Sequence, residues 1–259
     1  VAALAAHLDG LCSAVAAAPQ ERPRPAADEA IAIVGMAGRF PGAASVEELW
    51  RALLEGRSGI REVSREEALA DGADPALLEH PAYVPYAAPL EGIDRFDDTL
   101  FGYSPADAAL LDPQGRLLLQ CAWEALEQAA VNPARPGLRI GVFAGATVST
   151  YALPAQRVLF ANDKDYLASR IAYKLGLKGP AIGVQTACSS SLVAVALAVR
   201  ALRSGECDVA LAGGASVNVP HRVGYLYEEG SIYAPDGRCR AFAADAAGTV
   251  GGNGVAVVA

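Results

Sequence analysis

The sequence predicts an α/β fold, a mainly parallel sheet with helices on both faces. Short apolar runs bounded by glycine or proline recur at residues 31–35, 140–146, 181–186 and 208–213, as strands buried on both faces require. Between them lie stretches with apolar residues at helical spacing: 45–55, 112–127, 162–176 and 188–203. The two patterns alternate along the chain. That alternation is what parallel strands joined by crossover helices produce. With 259 residues, 53% of them hydrophobic, the chain can bury a sizeable core.

Composition narrows the function classes. A net charge of −8 and a pI near 4.9 argue against a nucleic-acid surface, which needs a basic patch. The five cysteines, at 12, 121, 188, 207 and 239, form no C-x-x-C pair and are odd in number. A reducing cytosol therefore fits better than a disulfide-stapled secreted fold, and a cytoplasmic location is expected. No metal-ligand cluster has usable spacing, so no metal is expected. No run of about eighteen uninterrupted apolar residues is present, so no membrane-crossing helix is expected. No signal peptide and no internal repeat are expected. The first residues look like the inside of a helix and the last like the inside of a strand, so a piece of a longer polypeptide is expected.

Taken in order, residues 1–18 carry Leu4, Leu8, Leu11 and Val15 at helical spacing, as a generic amphipathic helix would. Residues 19–29 hold Pro19, Pro23 and Pro25 among charges and alanines, and form an extended linker. The globular part, 30–259, opens on the expected buried strand at 31–35. Glycines 35, 38 and 42 suggest a dinucleotide loop, but the spacing is wrong and Pro41 stands where a helix would begin. Ser45 and Glu48 make a capping box for a helix to Glu55, with Gly56 as its stop. Residues 57–100 are loop-rich, broken by Pro75, Pro81, Pro85 and Pro89. Asp112–Glu127 is a helix with Leu118, Ala122, Ala125 and Leu126 inward. Cys121 is a core residue within it, and Arg116 and Glu124 are structural or surface charges. Pro235-Asp236-Gly237 is a turn. Glycines 248–254 run into a strand rather than a helix, which favours close backbone packing over a phosphate cradle.

Cys188 sits where the strand 181–186 turns into the alanine-rich helix that ends at Gly205. A thiol at that corner faces the positive end of a helix, which favours a thiolate. Ser189, Ser190 and Ser191 leave room for a substrate to approach, as at a nucleophile elbow. Read from position alone, Cys188 is either a nucleophile or an inert small hydrophobe at a packed corner.

The segment Thr186-Ala187-Cys188-Ser189-Ser190-Ser191, with its strand and helix, resembles the active-site segment of the β-ketoacyl synthases. More narrowly, it resembles the ketosynthase domains of modular polyketide synthases. Gly35-Met36-Ala37-Gly38-Arg39-Phe40-Pro41-Gly42, Asp112–Glu127 and Pro220–Gly230 resemble the same family, in which a second Gln usually stands where Gly115 does. Residues 1–8 resemble the last helix of a carrier domain. The resemblance implies a thiolase-type fold, layered αβαβα, of which this chain holds about the first half. It implies that Cys188 carries the acyl chain as a thioester, with its backbone N–H as an oxyanion donor. A decarboxylative condensation with a malonyl-type carrier thioester would follow. It also implies two catalytic histidines beyond residue 259, so that His7, His80 and His221 are surface or hydrogen-bonded structural residues and the excerpt alone is inactive. The implied partners are acyl carrier domains, other domains of a synthase and a second copy in a homodimer. No cofactor is expected in this domain, since the phosphopantetheine arm belongs to the carrier. Tyr151, Tyr225, Tyr227 and Tyr233 are candidates for lining a substrate pocket. Three readings stand beside this one: a ketosynthase that only passes chains along, a cysteine hydrolase pairing Cys188 with His221, and a purely structural domain.

Overall fold

The computed structural model describes residues 30–151 and 162–259. The carrier-like helix 1–18 and the linker 19–29 lie outside the described residues. At the centre is a five-stranded sheet: β1 (Met36–Arg39), β9 (Gly254–Val258), β7 (Val209–Ser216), β5 (Ile140–Ala146) and β6 (Ala181–Gly183), in that spatial order. β5 runs parallel to β6 and β7, whereas β9 is antiparallel to β7 and β1 to β9. The sheet is thus mixed rather than mainly parallel. The three parallel strands are joined by helical crossovers. Between β7 and β9 the chain has no helix to return it to the starting end, so β9 enters from the other direction.

The parallel strands alternate as a sheet covered on both faces must. Ile140, Val142, Ala144 and Leu211 pack with α5 (Pro113–Gln128) and α6 (Leu167–Lys174). Phe143, Ala210 and Ala212 pack on the opposite face against Ala194, Ala198 and Ala201 of α7 (Ser190–Ser204). The three alanines recur at intervals of four and three, a narrow stripe that lets the helix axis lie close to the sheet. α5 begins where expected. Asp112 caps it through the Gln114 N–H at 2.8 Å, and Pro113 fills the first position, where its missing N–H costs nothing. Leu118, Leu119 and Leu126 are fully buried, each contributing about 1.5–3 kcal/mol relative to exposure. α1 (Val46–Leu54) is capped by Ser45 through the Glu48 N–H, and Gly56 behind it takes φ +65°. Glu48 reaches back to the Ala44 N–H at 2.8 Å, one residue earlier than a capping box predicts.

Residues 57–100 are not wholly irregular. α2 (Arg65–Ala70) and α3 (Pro75–Leu78) combine with the two-residue strands β2 (Arg61–Glu62) and β4 (Tyr86–Ala87), which pair with each other. Val63, Ala68, Ala73 and Ala87 form a satellite core there. β3 (Tyr83–Val84) pairs with β8 (Tyr225–Leu226) and ties this part to the later loop. α4 (Pro105–Leu110) leads into α5.

Two further expectations fail. Residues 31–35 are not a buried strand; Ile33 and Val34 are more than half exposed. The register sets Met36 opposite Val258, so pairing begins only at Met36, and the Val34 N–H reaches the Ala259 carbonyl at 2.8 Å. The strand expected over 181–186 stops at Gly183 and is exposed along its length, because as an edge strand it pairs on one side only, with β5. Ala187–Ser204 is long and apolar enough to cross a membrane by length and composition, with mean hydropathy 1.3 over 18 residues. It carries Arg200 and Arg203, and its alanine stripe packs on the sheet.

Candidate active site

The chain leaves β6, passes buried Val184 and turns at Ala187 into a single 3-10 turn, Ala187–Ser189, which leads directly into α7. Ala187 has φ +53°, a left-handed conformation that costs a non-glycine residue roughly 1–2 kcal/mol. Such strain persists only where the surroundings over-determine it. Here they do. The Thr186 N–H donates to Ser190 Oγ at 2.9 Å, and Ser190 Oγ donates to the Ala187 carbonyl at 2.8 Å. Ser189 Oγ donates to the Thr186 carbonyl at 2.8 Å and contacts Thr186 Oγ1 at 3.0 Å.

Cys188 stands exposed on this corner. Among the described residues no acceptor takes its backbone N–H, which lies in the turn just ahead of α7. The corner rests on two strand glycines. A Cβ at Gly145 of β5 would lie 2.3 Å from the Val184 carbonyl oxygen and 2.9 Å from Ser190 Cβ. One at Gly214 of β7 would lie 3.1 Å from Ser191 Cβ. Small residues at the exit of 140–146 and the pair Gly213-Gly214 are visible in the sequence. Their role beneath the corner is visible only in the fold.

The other cysteines are set apart by environment. Cys121 is fully buried in α5, and burial pushes its thiol up to about 12. Cys207, also buried, is pushed up to about 11 for the same reason. Cys239 is exposed, and its sulfur accepts from Thr249 Oγ1 at 3.8 Å. Cys12 lies outside the described residues.

His221 is not brought to Cys188. Its side chain is 7% exposed, with Nδ1 3.3 Å from Asp71 Oδ2. That same oxygen accepts the backbone N–H groups of His221 and Arg222 at 2.7 and 2.8 Å. His221 therefore fastens the loop after β7 to the end of α2, and no hydrogen bond joins it to Cys188, so the cysteine-hydrolase pairing is not formed. His80 is exposed and caps its own turn through Nδ1 and the Ala82 N–H at 3.1 Å. His7 lies outside the described residues. Among the described residues no group of three His, Cys, Asp or Glu side chains is placed to hold a metal ion.

Two charges in α5 have definite positions. Arg116 is buried, and burial lowers its pKa; its guanidinium lies 5.9 Å above the Tyr151 ring. Glu124 receives both terminal nitrogens of Arg39, one at 2.9 Å, which locks α5 to β1. Of the pocket candidates, Tyr151 donates to the Ala109 carbonyl at 2.8 Å. The rings of Tyr225 and Tyr233 meet at a tilt of 32° with centroids 4.9 Å apart, and Tyr225 donates to the Ala234 carbonyl. Tyr227, like the other three, is half-buried.

A strand, a strained turn with an exposed cysteine and a helix, seated on a mixed sheet between helical layers, narrow the possibilities to few folds. Residues 28–259 match the family model described as the β-ketoacyl synthase N-terminal domain. The chain belongs to the β-ketoacyl synthase family. Ketosynthases of modular polyketide synthases are its relatives in both sequence and structure. It is 43% identical over 243 residues to the mycoketide-CoA synthase of Mycobacterium tuberculosis, an alignment spanning 89% of this chain and 6% of that protein. It is 38% identical over 252 residues to polyketide synthase PksN of Bacillus subtilis, spanning 93% of this chain and 5% of that protein. Among solved structures it resembles ketosynthase twelve of the bacillaene polyketide synthase of Bacillus amyloliquefaciens, with TM-score 0.78 and 38% identity, covering 88% of this chain and 42% of that one. It also resembles the oxazolomycin ketosynthase domain OzmH KS7 of Streptomyces albus, with TM-score 0.74 and 34% identity, covering 87% and 42%. The fold is therefore thiolase-type, and the chain corresponds to its N-terminal half. It spans less than half of the solved ketosynthases and under a fifth of the curated synthases it matches.

Proposed function

We propose that this chain supplies the acyl-accepting corner of a polyketide ketosynthase, with Cys188 as nucleophile. The observation that carries the reading is the exposed Cys188 thiol on a strained strand-to-helix turn, beside its own unengaged N–H at the head of α7. Cys188 Sγ attacks the carbonyl carbon of a carrier-bound acyl thioester. The tetrahedral oxyanion is held by the Cys188 N–H, aided by the helix dipole. Collapse breaks the carrier's C–S bond, the carrier thiol departs with the proton, and the chain rests on Cys188. A malonyl-type carrier thioester then loses CO₂. Its enolate carbon attacks the acyl carbon, the bond to Sγ breaks, and a β-keto chain two carbons longer remains on the carrier.

The carrier brings its own phosphopantetheine arm, and the domain holds no cofactor. Its partners are acyl carrier domains, the other domains of a modular synthase and a second copy of itself in a dimer. The uncovered edge strand β6 and the outward Leu192 of α7, 73% exposed, support a further protein surface at this place. The four described cysteines, all free thiols, suit a reducing, cytoplasmic setting.

The test is the intact mass of the parent polypeptide after incubation with an acyl thioester of N-acetylcysteamine, beside Cys188→Ala. A single acyl adduct that vanishes in the variant supports the assignment. An adduct that survives Cys188→Ala, or none on folded protein, refutes it.

A further inference from the structure

We propose that Ser190 is a positioning residue for Cys188, the bracket that holds the corner in its reactive geometry. The inference rests on the reading of Cys188 as nucleophile. Ala187, immediately before the thiol, is left-handed, and alanine does not hold that conformation unaided. One atom ties both sides of it. Ser190 Oγ accepts the Thr186 N–H at 2.9 Å and donates to the Ala187 carbonyl at 2.8 Å. The peptide leading into Cys188 is thereby held from a residue one turn further on, inside α7. Ser190 is itself fixed, because its Cβ lies over the bare α-carbon of Gly145, where a methyl group would come within 2.9 Å. The order of support runs from the sheet to Gly145, to Ser190, to Ala187, and so to the direction of the Cys188 thiol and N–H. Ser190 touches no reacting atom. It acts only through the turn.

The consequence is kinetic. An oxyanion donor must point at the place where charge develops, and a small rotation of the Ala187–Cys188 peptide moves it. Removing the hydroxyl frees Ala187 to relax toward negative φ and carries the N–H away. Acyl transfer should suffer, while binding of the acyl donor should not.

The test compares the parent polypeptide with Ser190→Ala and with the double variant Ala187→Gly/Ser190→Ala. Loading of the N-acetylcysteamine thioester is followed by intact mass over a range of donor concentrations. For Ser190→Ala the maximal loading rate is expected to fall about tenfold while the half-saturating donor concentration stays within about twofold. Glycine takes positive φ without penalty, so the double variant is expected to regain about threefold or more of the lost rate. Iodoacetamide alkylation of Cys188 is followed in every variant and should persist, since the thiol stays exposed. A Ser190→Ala rate equal to that of the parent, a loss seen only in the half-saturating concentration, or a double variant no faster than the single one overturns the proposal. Absence of any Cys188-dependent adduct in the unmodified parent is a different failure. It removes the nucleophile assignment, and the role of Ser190 falls with it.

Discussion

Gly145→Ala tests whether the corner is built on the sheet. The added Cβ would lie 2.3 Å from the Val184 carbonyl oxygen, about 1 Å inside van der Waals contact, and 2.9 Å from Ser190 Cβ. Neither neighbour is a flexible side-chain end. The Val184 N–H is bonded to the Ala144 carbonyl at 2.9 Å, so moving Val184 away from β5 strains that bond. Overpacking costs about 1–3 kcal/mol and a weakened backbone hydrogen bond about 1 kcal/mol, which together give about 2–4 kcal/mol. For a domain of this size the melting temperature should drop by roughly 5–15 °C. Calorimetric melting of the parent domain, beside the acyl-loading rate at a temperature where the variant is still folded, measures both effects. Loading should fall as well, because Ser190 is displaced. A melting temperature within about 1 °C of the parent would refute the packing argument, since a clash with backbone cannot be absorbed without cost.

The same substitution at Gly115 should have the opposite sign. It lies in the first turn of α5, with nothing within 4 Å of an added Cβ, so Gly115→Ala should stabilise by about 0.5–1 kcal/mol and raise the melting temperature by roughly 1–4 °C. Leu118→Ala, in the fully buried stripe of α5, should destabilise by about 2–5 kcal/mol in urea unfolding. Iodoacetamide at pH 8 should label Cys188 and Cys239 in the folded domain and spare Cys121 and Cys207, as peptide mapping would show; labelling of Cys121 ahead of unfolding would contradict its burial. Those two raised thiols also set an alkaline limit. Their contribution is fully present below the ordinary thiol range and is lost as pH rises toward 11–12, because the unfolded chain ionises first; unfolding free energy should fall between pH 8 and pH 10.

What the sequence makes legible here is local. Asp112-Pro113 and the inward leucines announce α5, Ile140–Ala146 announces β5, and the small residues around Cys188 announce the corner; each is decided by neighbours in the chain. Pairing is not local. Ile31–Gly35 has the pattern of a buried strand, but its place is set by where β9 lies, more than two hundred residues away. The exposure of Ala181–Gly183 follows from its rank at the sheet edge, which its composition does not encode. The left-handed Ala187 leaves no mark either, since alanine is none of the glycine, asparagine or aspartate that usually signal that conformation. The motif locates the thiol, whereas the brackets and the bare glycines beneath it emerge only once strands and helix are assembled.

The satellite core divides the chain into two tiers of permanence. Val63, Ala68, Ala73 and Ala87 bury little apolar area beside Phe143 and Ile140 of the sheet and Leu118 of α5, and they are attached through the β3–β8 pairing, the bond of Asn253 Nδ2 to the Ala88 carbonyl and Asp71, which accepts from the His221 and Arg222 backbone. A unit of that kind opens by itself while the rest stays closed. Its amides should exchange with solvent well ahead of those of β5 and β7. The outer loops can thus breathe, or change in composition, while the floor beneath Cys188 keeps its shape.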